Sequence, residues 1–353
     1  MNVKDFTLII DSLPPIGHFR FPNLTAFKFS TCTFGKPFPV SQLLDFLQDS
    51  PALQRINMYL HSDRFNEDVP PERVVVLPHV KTFCLSITNP GPGCEITTHI
   101  SCPFATRAKF EHGLEVAGCR IPKNMYPPLV PWNAIVHQYT KGTVEGATIK
   151  ITVDRELTLS CQLTFRSSDG AALELEYTHH SLDTIDDMNT VLDRYLPPVF
   201  SKASRAIRDH PLLANVRYLN ILGGKLPVRD LGLAANDVGK LLGSLGMLEQ
   251  LTLEGCDLRP YLDAFLAIPL FPDAIQPTSF PPIKVFSIID PIQSLYGDGV
   301  YADAIVKLAR SQHTREIPFQ NIRLPLGVPS NLYKVLKGYC SQSMWEKLAM
   351  GHS

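Results

Sequence analysis

One phrase of apolar and polar positions recurs along the chain: an apolar residue, two others, an apolar residue, one other, an apolar residue. It is clearest at Leu248, Leu251 and Leu253, which lead into Gly255-Cys256-Asp257-Leu258. This segment fits L-x-x-L-x-L-x-x-N/C-x-L at each fixed position. Looser copies begin at Leu24 (Phe27, Phe29, then Cys32), Leu53 (Ile56, Met58) and Val80 (Phe83, Leu85), with a small-residue copy at Ala105 (Ala108, Phe110). After a long gap come Val216 (Leu219, Ile221), Ile283 (Phe286, Ile288) and Phe319 (Ile322, Leu324). Apart from that gap, starts fall about 25 to 36 residues apart, at and above the usual repeat of about 20–29. Side chains alternate across a strand, so the later apolar residues of each phrase are expected inside and their neighbours outside.

Between the phrases the period changes to that of helices. Ser41–Gln48 offers Ser41 as an N-cap, an apolar stripe and Pro51 beyond its end; Asn236–Leu242 and Ala302–Ala309 read the same way. Strand, turn and helix in repetition predict parallel strands joined by helices. The gap carries another pattern. Thr148–Val153, Leu157–Arg166 and Ala171–Tyr177 alternate, with Ser168-Asp169-Gly170 as a tight turn. The first is read as one more array strand, the other two as an inserted antiparallel hairpin. A helix with Met188, Val191, Leu192, Tyr195 and Leu196 on one stripe is expected next, ending at Pro197-Pro198. The expected fold is thus α/β, a leucine-rich-repeat solenoid with a curved parallel sheet, outer helices and an inserted hairpin region. Repeats are expected over 1–120 and, with a terminal cap, over 201–353, around a central irregular segment at 121–200.

Composition narrows this picture. At 353 residues, 44% of them apolar, the chain has the material for an extended core. Its 33 basic and 34 acidic residues leave a formal charge of -1, which argues against a dedicated nucleic-acid binder. The start, MNVKDFTLIIDSLPP, lacks the features of a secretory signal, and no apolar run approaches the ~20 residues of a membrane span. A cytoplasmic or nuclear protein with reduced cysteines is expected, and no membrane partner.

Candidate chemistry is thin. Cys94, His99, Cys102, His112 and Cys119 include the right ligand types for zinc, but without a C-x-x-C or H-x-x-x-H spacing; structural thiols and solvated histidines are the stronger reading. Gly243-Ser244-Leu245-Gly246 is one residue short of a nucleophile elbow. His179-His180 lies near Asp183, Asp186 and Asp187, acids that a helix start explains through its dipole. Gly91-Pro92-Gly93 and Gly223-Gly224 are too short to cradle phosphate. Trp132 and Trp345 read as packing residues. No catalytic, cofactor or metal residue is expected, and a metal-dependent hydrolase is the least favoured reading.

FPNLTAFKFSTCTF, SQLLDFLQDSPALQRINM, GSLGMLEQLTLEGCDL, the hairpin at Cys161–Gly170 and the acidic stretch Asp183–Asn189 together resemble the F-box/leucine-rich-repeat family of mushroom-forming fungi. The likeness extends over nearly the whole chain and rests on packing motifs. It implies a repeat region that binds a target protein, beside an F-box that docks on a cullin-RING ligase adaptor. Here the first repeat starts by Phe21, which leaves no space for that domain. The resemblance therefore implies the substrate-recognition part of a ubiquitin-ligase receptor without its F-box, with the adaptor as partner only if a longer product carries one. The alternative is a ubiquitin-independent scaffold or recognition protein of the same fold.

The register of the phrase singles out the outward residues that would line a concave binding face. They are Lys28 on the first strand, Arg55, Asn57 and Tyr59 on the next, and Arg107, Lys109 and Glu111 on a later one. Across the gap they are Tyr218 and Asn220, then Gln250, Thr252 and Glu254, and finally Arg323. About eight strands spaced ~4.8 Å give a face on the order of 600 Å², which flanking loops would enlarge toward the ~800 Å² per partner of a standard interface. Charge reversal at Arg55, Arg107 and Lys109 is expected to weaken binding and leave thermal stability unchanged.

Overall fold

The computed structural model describes residues 3–10, 21–31, 38–61, 65–66, 69–70, 72–88, 96–116, 143–153, 159–181, 215–223, 235–255, 258, 261–264, 281–289, 300–314, 316, 318–324 and 330–340. They form a mixed α/β structure, mostly parallel sheet with few helices. The chain divides into two compact units, 1–143 with 154–185 and 144–153 with 186–353.

In the first unit, strands β1 (Asp5–Ile10), β2 (Ala26–Thr31), β4 (Arg55–His61), β7 (Thr82–Thr88) and β9 (Arg107–Val116) lie side by side in chain order. Each neighbouring pair is parallel. Three short strands, β3 (Phe38–Pro39), β5 (Phe65–Asn66) and β6 (Val75–Val76), lie within the connections, and a fourth, β8 (Ile100–Ser101), precedes β9. β3 pairs with β5 and β6 with β8, both parallel. Strand β1 is an addition to the sequence reading, which began the array at Phe21. DFTLII carries only part of the phrase, and Phe6 supplies its inward aromatic, 6.3 Å from Phe27.

The recurrence of the phrase has a backbone counterpart. Where each strand begins, one carbonyl of the preceding strand's entry accepts two successive N–H groups. Gln54 and Arg55 both donate to the Thr25 carbonyl, Lys81 and Thr82 to that of Gln54, and Thr106 and Arg107 to that of Lys81. One step earlier the phrase-starting residue closes a turn: Leu24 donates to Phe21, Leu53 to Ser50, Val80 to Leu77 and Ala105 to Cys102. These starters are buried, as are Phe27, Phe29, Ile56, Met58, Phe83, Leu85, Ala108 and Phe110. The phrase is thus a turn, an entry clamp and a strand with one apolar face, and it stacks because each clamp needs the carbonyl of the unit before it.

Helix α1 (Val40–Gln48) covers that apolar face. Leu43, Leu44, Phe46 and Leu47 are buried, and Phe46 lies 4.7 Å from Phe27, centroid to centroid. Burying such a side chain contributes roughly 1.5–3 kcal/mol. The cap differs from expectation: Pro39 is the N-cap, Ser41 lies inside the first turn, and no side chain caps the helix. The proline ring holds φ at this boundary near the observed -67°.

The hairpin is present as read. Strands β11 (Leu159–Ser167) and β12 (Ala172–Ser181) are antiparallel. Their turn puts Gly170 at φ +83°, and the Asp169 carboxylate accepts the Ala171 N–H at 3.0 Å. β12 then runs parallel to β9 along all ten of its residues. The hairpin therefore adds to the array through its second strand.

The second unit repeats the scheme with β10 (Val144–Val153), β13 (Tyr218–Gly223), β14 (Gln250–Glu254), β15 (Val285–Ile289) and β16 (Asn321–Arg323), all neighbours parallel. β10 contains the segment read as one more array strand. Glu249 and Gln250 share the Arg217 carbonyl, Lys284 and Val285 that of Glu249, and Gln320 and Asn321 that of Lys284. Helices α2 (Ala235–Ser244), α3 (Val300–Thr314) and α4 (Ser330–Leu336) include the two helices expected there. Residues 121–200, read as one central segment, contribute β11 and β12 to one unit and β10 to the other. The helix expected over Met188–Leu196 and the residues Trp132 and Trp345 lie outside the described residues.

Candidate functional site

The opposite face of the first unit's sheet is where the outward residues fall, and strand register arranges them in three rows. One row reads Asp5, Ala26, Arg55, Thr82, Arg107, Ala172. The middle row reads Thr7, Lys28, Asn57, Cys84, Lys109, Glu174. The third reads Ile9, Ser30, Tyr59, Ser86, Glu111, Glu176. Lys28, Arg55, Asn57, Tyr59, Arg107, Lys109 and Glu111 thus share one surface, as the phrase required.

Electrostatics divides this surface in two. On β9 and β12 the charges satisfy one another. Arg107 pairs with Glu174 at 3.0 Å, and Lys109 pairs with Glu176 at 2.9 Å and with Glu111. The side chains of Lys109 and Glu176 are 22% and 23% exposed, so this ladder is partly shielded from water. Burial works against the charge of Lys109, but the hydrogen bonds it donates to Glu111 and Glu176 outweigh that and hold its pKa above the ordinary lysine range. The Glu174 hydrogen bond likewise raises Arg107. Glu174 and Glu176 belong to the hairpin and were not among the expected site residues. Their signal lay in the alternation of ALELEYT, but only the pairing of β12 with β9 shows which strand they face.

On β1, β2 and β4 no such closure occurs among the described residues. Arg55 and Asp5 approach to 3.7 Å, both largely exposed, a geometry that contributes little in water. The ammonium of Lys28 lies 5.6 Å over the Tyr59 ring and meets no carboxylate among the described residues. Tyr59 is 44% exposed and Ile9 64%, with the smaller Ser30 in register between them. Cys84 sits beside Asn57; burial pushes its thiol pKa up, with Arg107 and Lys109 pulling the other way, so the thiol stays protonated near neutrality.

In the second unit Tyr218, Gln250 and Asn321 share one row with Val285, and Asn220, Thr252 and Arg323 share the next with Ser287. Tyr218 is exposed, and the Asn220 amide reaches the Thr148 hydroxyl at 3.5 Å. Glu254 and Arg323 are exposed, but Thr252 is buried beside buried Ser287. Thr252 is therefore corrected from a contact residue to a packing one: on this row short hydroxyl side chains lie below their neighbours.

Among the described residues, those weighed for metal or acid–base chemistry form no cluster. His99 Nδ1 lies 2.7 Å from the Arg73 carbonyl, and Cys102 is buried, its pKa raised by that burial. Cys94 and Cys119 lie outside the described residues, as do Asp183, Asp186 and Asp187. No group of three or more His, Cys, Asp or Glu able to hold a metal occurs among the described residues. Ser244 donates its hydroxyl to the Leu241 carbonyl at 2.7 Å. No helix among the described residues is long and apolar enough to cross a membrane.

The chain matches no family model, no curated protein and no solved structure.

Proposed function

We propose that this chain is a leucine-rich-repeat module that recognises another protein and carries out no chemistry of its own, the target-binding part of an F-box-type ubiquitin-ligase receptor. The observation that carries the reading is the two-faced parallel sheet. In the first unit one face is an apolar core beneath α1, and the other presents polar and aromatic side chains at strand spacing. Tyr and Arg on such a face are the residue types that dominate protein interfaces. The entry clamp, repeated from strand to strand, supports the repeat-array assignment.

The test uses the full chain as bait in a lysate of a mushroom-forming fungus, beside an Asn57→Ala/Tyr59→Ala variant of matched thermal stability. A protein held by the wild type and released by the variant is the expected result. Equal retention by both baits, or none by either, overturns the reading. A cullin adaptor among the retained proteins marks a ligase receptor; its absence marks the ubiquitin-independent form.

A further inference from the structure

The outward face of the first unit carries one region whose polar groups are satisfied internally and one whose groups are not. On β9 and β12, Arg107, Lys109 and their carboxylates close their own network. A partner touching that region must break ion pairs that already exist, which gains little. On β2 and β4, Lys28 is exposed with its ammonium over the Tyr59 ring, and Asn57 stands in register beside it. Along the next row Ser30 is the low point between Ile9 and Tyr59, both well exposed. Strand register thus leaves a notch over Ser30 between Ile9 and Tyr59, about two strand spacings wide, ~9.6 Å, beside an ammonium that meets no carboxylate among the described residues.

We propose that this notch binds a short linear segment of the partner in which an acidic residue stands next to a large apolar one. The apolar side chain seats between Ile9 and Tyr59 over Ser30, the carboxylate pairs with Lys28, and the Asn57 amide bonds the peptide backbone. The charge argument fixes the class. Among the described residues Lys28 has no carboxylate, whereas a basic segment would face an ammonium: Glu174 and Glu176 are already paired, and the exposed Asp5 lies in another row, 3.7 Å from Arg55. The inference deepens the protein-recognition reading and rests on it.

The test is selection of a random twelve-residue peptide library displayed on phage against the immobilised full chain. Affinities of the selected peptides are then measured by fluorescence anisotropy. Expected are sequences enriched in Asp or Glu beside Leu, Phe, Tyr or Trp. Binding should weaken about tenfold or more in Lys28→Glu and in Tyr59→Ala, about 1.4 kcal/mol or more. It should be unchanged in Lys240→Glu, a control on helix α2, and should fall as salt rises from about 0.1 M to about 1 M, where screening shortens from ~10 Å to ~3 Å. Selected peptides without acidic enrichment, or indifferent to Lys28→Glu, overturn the proposal. So does a selection that yields no binder. That last outcome leaves the protein-recognition reading to the lysate experiment, where a folded partner can still be retained by the wild type and lost by the Asn57→Ala/Tyr59→Ala variant.

Discussion

At the scale of single residues, two glycines with positive φ separate backbone conformation from close packing. Gly170 has φ +83° with nothing within 4 Å of a built Cβ, whereas Gly255 has φ +61° and its Cβ would stand 2.6 Å from the Gly223 carbonyl oxygen. Gly170→Ala should therefore cost about 1 kcal/mol, the left-handed penalty alone. Gly255→Ala adds a clash with backbone that cannot rotate away, and should cost more by at least about 1 kcal/mol in urea denaturation. Equal losses would contradict the close approach. Beside Gly170, the Ala171 N–H holds the Asp169 carboxyl below its ordinary value of 3.8. A depressed folded pKa contributes stability above the unfolded pKa and loses it as pH falls through the folded one. The stability gap between wild type and Asp169→Asn should thus be full above about pH 5 and shrink on acidification; parallel curves would refute the assignment. The turn at Gly170 was legible, because Ser-Asp-Gly between two alternating runs has few other uses. The constraint on Gly255 was not, since its partner Gly223 lies on a different strand and only strand neighbourhood reveals it.

At the scale of elements, the ion ladder between β9 and β12 bears on one expectation drawn from register alone. Charge reversal at Arg55, Arg107 and Lys109 was expected to spare stability, yet Arg107 and Lys109 pair with carboxylates of the hairpin. Lys109→Glu would set a third carboxylate against Glu111 and Glu176 in a partly buried position and should cost about 1–3 kcal/mol. Arg55→Glu, at an exposed pair, should stay within about 0.5 kcal/mol. Differential scanning calorimetry of the two single variants decides it, and equal melting temperatures would mean the ladder contributes nothing. Phe46→Ala provides the contrast on the other face. It opens the contact of α1 with Phe27 and should cost about 3–5 kcal/mol. The sequence made that face readable, because apolar spacing reports burial directly. It left the polar face half readable: alternation says that Lys109 points outward, and nothing local says that Glu176, far along the chain, stands beside it. The same limit hid β1, whose DFTLII carries only part of the phrase.

At the scale of the whole chain, the two units are interleaved in sequence, and this decides which fragments can stand alone. The first unit needs 154–185 after the chain has contributed 144–153 to the second. In an array held by nearest neighbours, removing a terminal element strips the edge of the strand next to it. Fragment 1–143 ends with β9 bare: β12 is gone, and Arg107 and Lys109 lose Glu174 and Glu176. A long parallel strand with unpaired N–H and C=O groups is a template for association. Fragment 1–143 should therefore melt lower than 1–185, which keeps β12 beside β9, and should associate in size exclusion with light scattering. The mirror case follows from β10, whose Ala147 and Ile149 stand in register with Leu219 and Ile221 of β13. Fragment 186–353 lacks those neighbours and should melt lower than 144–353. If 1–143 proves monomeric with the melting temperature of 1–185, the hairpin is an ornament on a complete array rather than a member of it. In that case the ladder that sets Lys28 apart from Lys109 would not be what shapes the face.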